Sequence, residues 1–132
     1  MYDRSIIVTV NGDHITTELA MRALFTAMKR HKPAKGLIFH SDQGSQFTSK
    51  EFVRFCEAHY IQQSMSRAGC PYDNAPMGRY FNTLKCELIY LFEFEKANEL
   101  DTAVVEFAYG WYNRIRLHTH NGGLTPAAAR VA

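Results

Sequence analysis

Short apolar runs alternate along this chain with stretches of helical period, and that alternation confines it to a layered α/β fold. Residues 5–10, Ser5-Ile6-Ile7-Val8-Thr9-Val10, are largely β-branched and run into the turn residues Asn11-Gly12-Asp13, so they read as a strand. From Thr16 or Thr17, with Glu18 in the first turn, Leu19, Ala20, Ala23, Leu24, Ala27 and Met28 recur at helical spacing until Pro33 and Gly36. Residues 37–40 form a second apolar run that leads into Ser41-Asp42-Gln43-Gly44, which places Asp42 at a strand end, where a side chain projects into a cleft. Thr48-Ser49-Lys50-Glu51 reads as a capping box built on the Thr48 hydroxyl and the Glu51 carboxylate. Phe52, Phe55 and Cys56 then supply a buried stripe, and the helix closes around His59.

Residues 61–66 make a third, weaker strand because of Gln62 and Gln63, and residues 68–73 a loop. Asn74 caps the next helix with Pro76 in its first turn, and Phe81, Leu84 and Leu88 mark its buried face. A last helix over about 97–117 carries Leu100, Val104, Phe107, Trp111 and Ile115 at spacings of three and four, and Asn121-Gly122-Gly123 with Pro126 ends the regular structure. The expected order is strand, helix, strand, helix, strand, helix, helix. It is read as one domain over 1–132, with a core over 1–92 and a helical extension over 93–132.

Composition narrows the function. With 132 residues, 46% of them hydrophobic, the chain is unlike a disordered segment, and its apolar runs are too short to span a bilayer. Met1-Tyr2-Asp3-Arg4 lacks the layout of a secretory signal. Cys56, Cys70 and Cys86 contain no CxxC pair, which argues against a disulfide framework or a zinc ribbon and makes the cytoplasm the default location. A net charge of +2 does not announce a nucleic-acid binder, but Arg22, Lys29, Arg30, Lys32 and Lys35 form one basic group and Arg114, Arg116, His118 and His120 another. Such patches suit phosphate, or are ordinary solvated faces.

Helical geometry sets Gly78, Asn82, Lys85 and Ile89 on one face. If Asp42 faces that helix, Asn82 and Lys85 are placed to hold a phosphate near it; the plainer reading is solvent contact. His118 and His120 lack partners at metal-ligand spacing and read as a basic, flexible tail. Cys56 reads as a small core residue and Cys86 as a bystander. Trp111 reads as core packing rather than a DNA contact, whereas Arg114 and Arg116 remain candidate phosphate contacts.

Several ordered motifs then point one way. His40-Ser41-Asp42-Gln43-Gly44-Ser45-Gln46-Phe47, Ser64-Met65-Ser66-Arg67, Tyr72-Asp73-Asn74-Ala75-Pro76-Met77, Phe81-Asn82-Thr83-Leu84-Lys85-Cys86-Glu87, and Trp111-Tyr112-Asn113-Arg114 with Gly123-Leu124-Thr125-Pro126 resemble the second part of insertion-sequence transposases with a retroviral-integrase-like core. The similarity runs from about Tyr2 to Ala128. The resemblance implies an RNase H-like fold and an enzyme that cuts DNA ends and joins them to a target, using two magnesium or manganese ions held by an Asp, Asp, Glu triad. In-line displacement at a phosphodiester needs such converging hard oxygen ligands.

Asp42 matches the family's second Asp and is the candidate metal ligand. The family's Glu falls after 35 intervening residues, at position 78, and there the chain has Gly78 followed by Arg79. The first Asp belongs to an earlier strand, upstream of the point to which Met1 corresponds. Glu87 lies on the far side of the helix, and Asp73 reads as a turn acid rather than a substitute. The expectation is therefore an α/β, RNase H-like integrase core truncated at its N-terminus, with a C-terminal helix, impaired as a DNA transposase and binding magnesium or manganese weakly or not at all. The alternative is a DNA-binding or self-association module without catalysis. Missing strands leave the edge of residues 37–40 open and residues 5–10 without a neighbour, which favours a homodimer or strand exchange, or else pairing of those two segments within one chain.

Overall fold

The computed structural model describes residues 3–132; Tyr2, where the resemblance begins, and Met1 before it lie outside them. Two compact units are present, Val10–Gly78 and a second made of the chain up to Thr9 together with Arg79–Ala132.

In the first unit, helix α1 (Thr17–His31) is opened by Thr16, whose side chain accepts from the Leu19 N–H. Strand β1 (Ile38–Ser41) pairs in parallel with β2 (Gln62–Met65), with Ile38 opposite Gln62 and Ser41 opposite Met65. The short α2 (Ser45–Thr48) and α3 (Lys50–Ala58) form the crossover between them. Ser49 rather than Thr48 caps α3, accepting from the Phe52 N–H, because Thr48 belongs to α2 and its hydroxyl turns to the Ser45 carbonyl. Leu24, Phe52, Cys56 and Ile61 form the buried core, packed by Ala20, Met21, Met28, Phe39, Phe47 and Phe55. Burial pushes the Cys56 thiol upward, as suits a core residue. Residues 5–10 form no strand and do not pair with β1, whose ladder partner is β2.

The second unit explains what those residues do instead. The Asn113 side-chain amide accepts from the Ile6 N–H at 2.7 Å and donates to the Ile6 carbonyl at 2.8 Å, reproducing with one side chain the two bonds of a ladder partner. The Tyr109 hydroxyl accepts from the Thr9 N–H at 3.0 Å. Helix α4 (Ala75–Leu84) follows the 3-10 turn Pro71–Asn74 and leads into a π-helical segment, Lys85–Ile89. Helix α5 (Ala97–Glu106) likewise continues as a π-helix over Phe107–Ile115, and α6 (Pro126–Val131) closes the chain.

Two expected faces are overturned, that of the last helix by its π segment. Each i→i+5 bond adds a residue to the turn, so the apolar stripe slips. Phe107, Ala108 and Tyr112 are buried, while Trp111 and Ile115 are exposed. On α4 the buried residues are Tyr80, Thr83 and Leu84, and Phe81 is exposed. Tyr80, Leu84, Phe107 and Tyr112 make this unit's core, with the Tyr80 and Tyr112 rings edge to face at 5.1 Å. Burial pushes the Tyr80 hydroxyl up to about 12.

His118 is not part of a flexible tail. It is buried, its ring edge-on to Tyr112 at 4.5 Å, and Nε2 lies 3.2 Å from the Tyr112 carbonyl. Gly122 and Gly123, both at positive φ, turn the chain back so that the His118 N–H donates to the Leu124 carbonyl.

Asp3 closes the unit. Its carboxylate accepts from Arg130 Nε at 2.6 Å and from the Ser5 N–H and hydroxyl, and its carbonyl accepts from Asn121. Burial raises the Asp3 carboxyl, but the bonds from Arg130 and Ser5 outweigh it and hold the group at about 2, below its ordinary 3.8. A lowered carboxyl binds fewer protons folded than unfolded, so its stabilisation is complete above 3.8 and is lost as pH falls toward 2. Because Arg130 is 45% exposed, the loss is discounted to about 1–2 kcal/mol. Unfolding free energies from urea titration at pH 5 and pH 2 are expected to differ by that much more in the unmodified protein than in Asp3→Asn; equal pH dependence in the two would refute the assignment.

Candidate functional site

The end of β1 is held by side chains rather than by a wide sheet. His40 lies across the two strands, with Nδ1 2.9 Å from Ser64 Oγ and Nε2 3.1 Å from Ser66 Oγ. The Ser66 N–H donates to the Ser41 carbonyl at 2.8 Å, and the Gln43 side-chain amide donates to the Ser66 carbonyl at 3.0 Å. Asp42 follows directly on the strand and is exposed, as its position in the sequence predicts. Its Oδ1 accepts the Gly44 N–H at 2.8 Å. A Cβ on Gly44 would come within 2.9 Å of that oxygen, so a glycine is what lets the carboxylate fold over the turn.

Gly78 sits on α4 in the same unit, exposed, and a Cβ there would meet nothing within 4 Å. Asp73 is committed elsewhere. It accepts from Arg67 Nε at 3.0 Å, Arg67 Nη2 at 3.2 Å and the Arg67 N–H at 3.0 Å. The guanidinium and backbone bonds hold its carboxyl below the usual carboxylate range. Among the described residues no three His, Cys, Asp or Glu side chains converge as metal ligands. A two-ion centre needs several converging carboxylates, and one exposed Asp42 with Asp73 engaged by Arg67 does not fit that requirement.

The other candidate residues lie in the second unit. Asn82 and Lys85 are exposed, and Asn82 Oδ1 faces the Cys86 thiol at 3.9 Å. Arg114 is exposed. Arg116 is engaged: its Nε donates to both Glu87 oxygens, at 2.9 and 3.1 Å, and the Trp111 indole N–H donates to Glu87 Oε2 at 3.0 Å. Burial raises the Glu87 carboxyl, but the bonds from Trp111 and Arg116 outweigh it and leave the group below its usual range. Burial lowers the His118 imidazole. The Glu87, Trp111 and Arg116 trio had no local signal, since its members are 24 and 29 residues apart.

Known proteins share this pattern. Residues 1–71 match a family model described as an integrase core domain, and residues 59–126 match a second model of the same description. The chain is 38% identical over 130 residues to the insertion element IS600 uncharacterized 31 kDa protein of Shigella sonnei, covering 98% of this chain and 48% of that protein. It is 33% identical to the transposase InsF for insertion sequence IS3A of Escherichia coli, covering 96% and 44% respectively. The transposase for insertion sequence element IS904 of Lactococcus lactis is 34% identical, over 90% and 47%. The chain thus spans just under half the length of these relatives.

Among solved structures, the catalytic core domain of BIV integrase superposes with a TM-score of 0.65 at 20% identity, over 98% of this chain and 79% of that one. The simian T-cell lymphotropic virus intasome in complex with PP2A regulatory subunit B56 gamma gives 0.72 at 19% identity, over 93% and 43%. The HTLV-2 integrase catalytic core domain in complex with magnesium, in a dimeric form, gives 0.56 at 19%, over 95% and 75%. The fold is that of the RNase H-like integrase cores.

Proposed function

We propose that this chain, which belongs to the integrase-core family found in insertion-sequence transposases, is the DNA-acting core part of such a transposase and is catalytically impaired as written. The observation that carries this reading is Asp42 at the end of the parallel strand β1, within His40-Ser41-Asp42-Gln43-Gly44, its turn fixed by the Gly44 N–H. The same observation limits it, because Gly78 brings no carboxylate to the position where the family has its Glu. Divalent metal binding, stated of HTLV-2 integrase, is proposed here only as a weak interaction at Asp42.

DNA is the proposed partner, through sequence-independent phosphate contact at exposed cations such as Lys85 and Arg114. The dimeric form of the HTLV-2 integrase catalytic core domain and the β1 edge opposite β2 support self-association along that edge. Exchange of residues 5–10 is less well supported, since Asn113 and Tyr109 already occupy part of their backbone.

The test is anisotropy of a labelled duplex over a salt series, followed by incubation with manganese. Binding that weakens steeply with salt and no cleavage are expected. A manganese-dependent nick that disappears in Asp42→Ala would overturn the impairment, and no binding at low salt would overturn the DNA reading. A monomer by light scattering at micromolar concentration would exclude the self-association.

A further inference from the structure

At Trp111 the helical register departs from the sequence pattern. Spacing alone continues the stripe of Val104 and Phe107 to Trp111, and an α-helix would bury the indole there. The π-helix over Phe107–Ile115 buries Tyr112 instead and leaves Trp111 44% exposed. Such segments are rare and are frequent at functional sites, because their widened turn sacrifices regular packing.

The exposed ring is not loose. Its N–H is fixed on Glu87 Oε2 at 3.0 Å, and Glu87 is fixed in turn by Arg116, whose own N–H donates to the Trp111 carbonyl at 2.7 Å. Glu87 belongs to the other π segment, Lys85–Ile89, so two irregular segments meet to hold one indole by its polar edge. Glu87 and Arg116 neutralise each other beside the ring, so the partly exposed indole carries no unbalanced charge from the residues that fix it. An aromatic surface with its orientation already set suits stacking by a nucleobase.

We propose that Trp111 is a stacking platform for an unpaired base of a DNA strand, with Glu87 and Arg116 as the residues that position it. This assignment rests on the DNA-acting reading and adds to it a preference for single-stranded over fully paired DNA. A base inside a duplex keeps its faces covered by its neighbours and cannot stack on the indole without leaving the helix.

Trp111 is the protein's one tryptophan, so its fluorescence reports the site directly. A labelled oligothymidylate and a duplex of equal length are titrated into the full chain, following label anisotropy and tryptophan emission together. The single strand is expected to quench the emission with the same midpoint as its anisotropy, and the duplex to bind with little quenching. Trp111→Ala is expected to weaken single-strand binding about tenfold while leaving duplex binding unchanged, with Trp111→Phe between. Single-strand binding without quenching, or equal binding by a folded Trp111→Ala, would overturn the platform and leave the DNA reading standing. Failure of both probes to bind would remove both. Should Trp111→Ala not fold, the quenching arm on the unmodified protein decides alone.

Discussion

Replacing Phe52 with alanine is expected to lower the unfolding free energy by about 3–5 kcal/mol. Phe52 is fully buried, and its ring lies 5.7 Å from Phe39, 5.5 Å from Phe47 and 6.4 Å from Phe55. The ring therefore joins β1, α2 and α3, and its loss leaves a cavity that three neighbouring aromatics cannot fill without leaving their rotamers. The consequence reaches the site, because Phe39 stands on the same strand three residues before Asp42. Urea unfolding measures the effect, with Phe81→Ala as the comparison: Phe81 is 48% exposed, and truncating it should change stability by no more than about 1 kcal/mol. A Phe52→Ala loss as small as that would mean that the aromatic cluster is not the core of its unit. Since a domain's whole stability is roughly 5–15 kcal/mol, the expected loss is enough to loosen the strand end that presents Asp42.

What was legible in the sequence follows from the range of the forces involved. Helix α1, strand β1 and strand β2 rest on local signals: the helix start at Thr16 or Thr17, the 37–40 run and the 61–66 run are recovered within a residue or two. Asp42 at a strand end is equally local, and so is its turn onto Gly44. The residues 5–10 fail for the opposite reason. Their β-branched composition favours extended backbone, but a strand exists only with a partner, and what they receive is the side chains of Asn113 and Tyr109, about a hundred residues away. No spacing within 5–10 announces that.

The C-terminal helix fails differently. Its apolar period was sound as far as Phe107, and the error began where the hydrogen-bond step changed from four to five. Tertiary contacts set that step: Tyr112 between Tyr80 and His118 fills the core, and the backbone widens to let it in. His118 shows the same principle. Read from its neighbours it is one cation in a basic run, whereas the Gly122 and Gly123 turn folds it under Tyr112, where burial favours the neutral ring. Arg116 in turn lost its freedom as a phosphate contact to a carboxylate that sequence alone set on a distant helix face.

Gly78→Glu is expected to tighten manganese binding by about a hundredfold, roughly 2.7 kcal/mol, over the chain as written. A Cβ at Gly78 meets nothing within 4 Å, and the position is exposed on α4, so the side chain has room to enter. Glutamate is also the better helix former, which should raise stability by about 0.5 kcal/mol and exclude misfolding as an explanation for any failure. A hard divalent ion surrenders its water reluctantly, and Asp42 alone, with one oxygen already on the Gly44 N–H, has little to exchange for it. A second carboxylate supplies both charge and a ligand, provided that Asp42 and position 78 converge as they do in the family's acid triad. Calorimetry of the chain as written, Gly78→Glu, Asp42→Ala and the double variant separates the cases. Tight binding that requires both carboxylates means that the scaffold has kept the geometry and lost only the ligand. If Gly78→Glu binds no more tightly than the chain as written, position 78 does not face Asp42, and the vacancy there is not what impairs the site. If the chain as written already binds tightly and needs Asp42, another acid completes the centre and the impairment itself must be withdrawn.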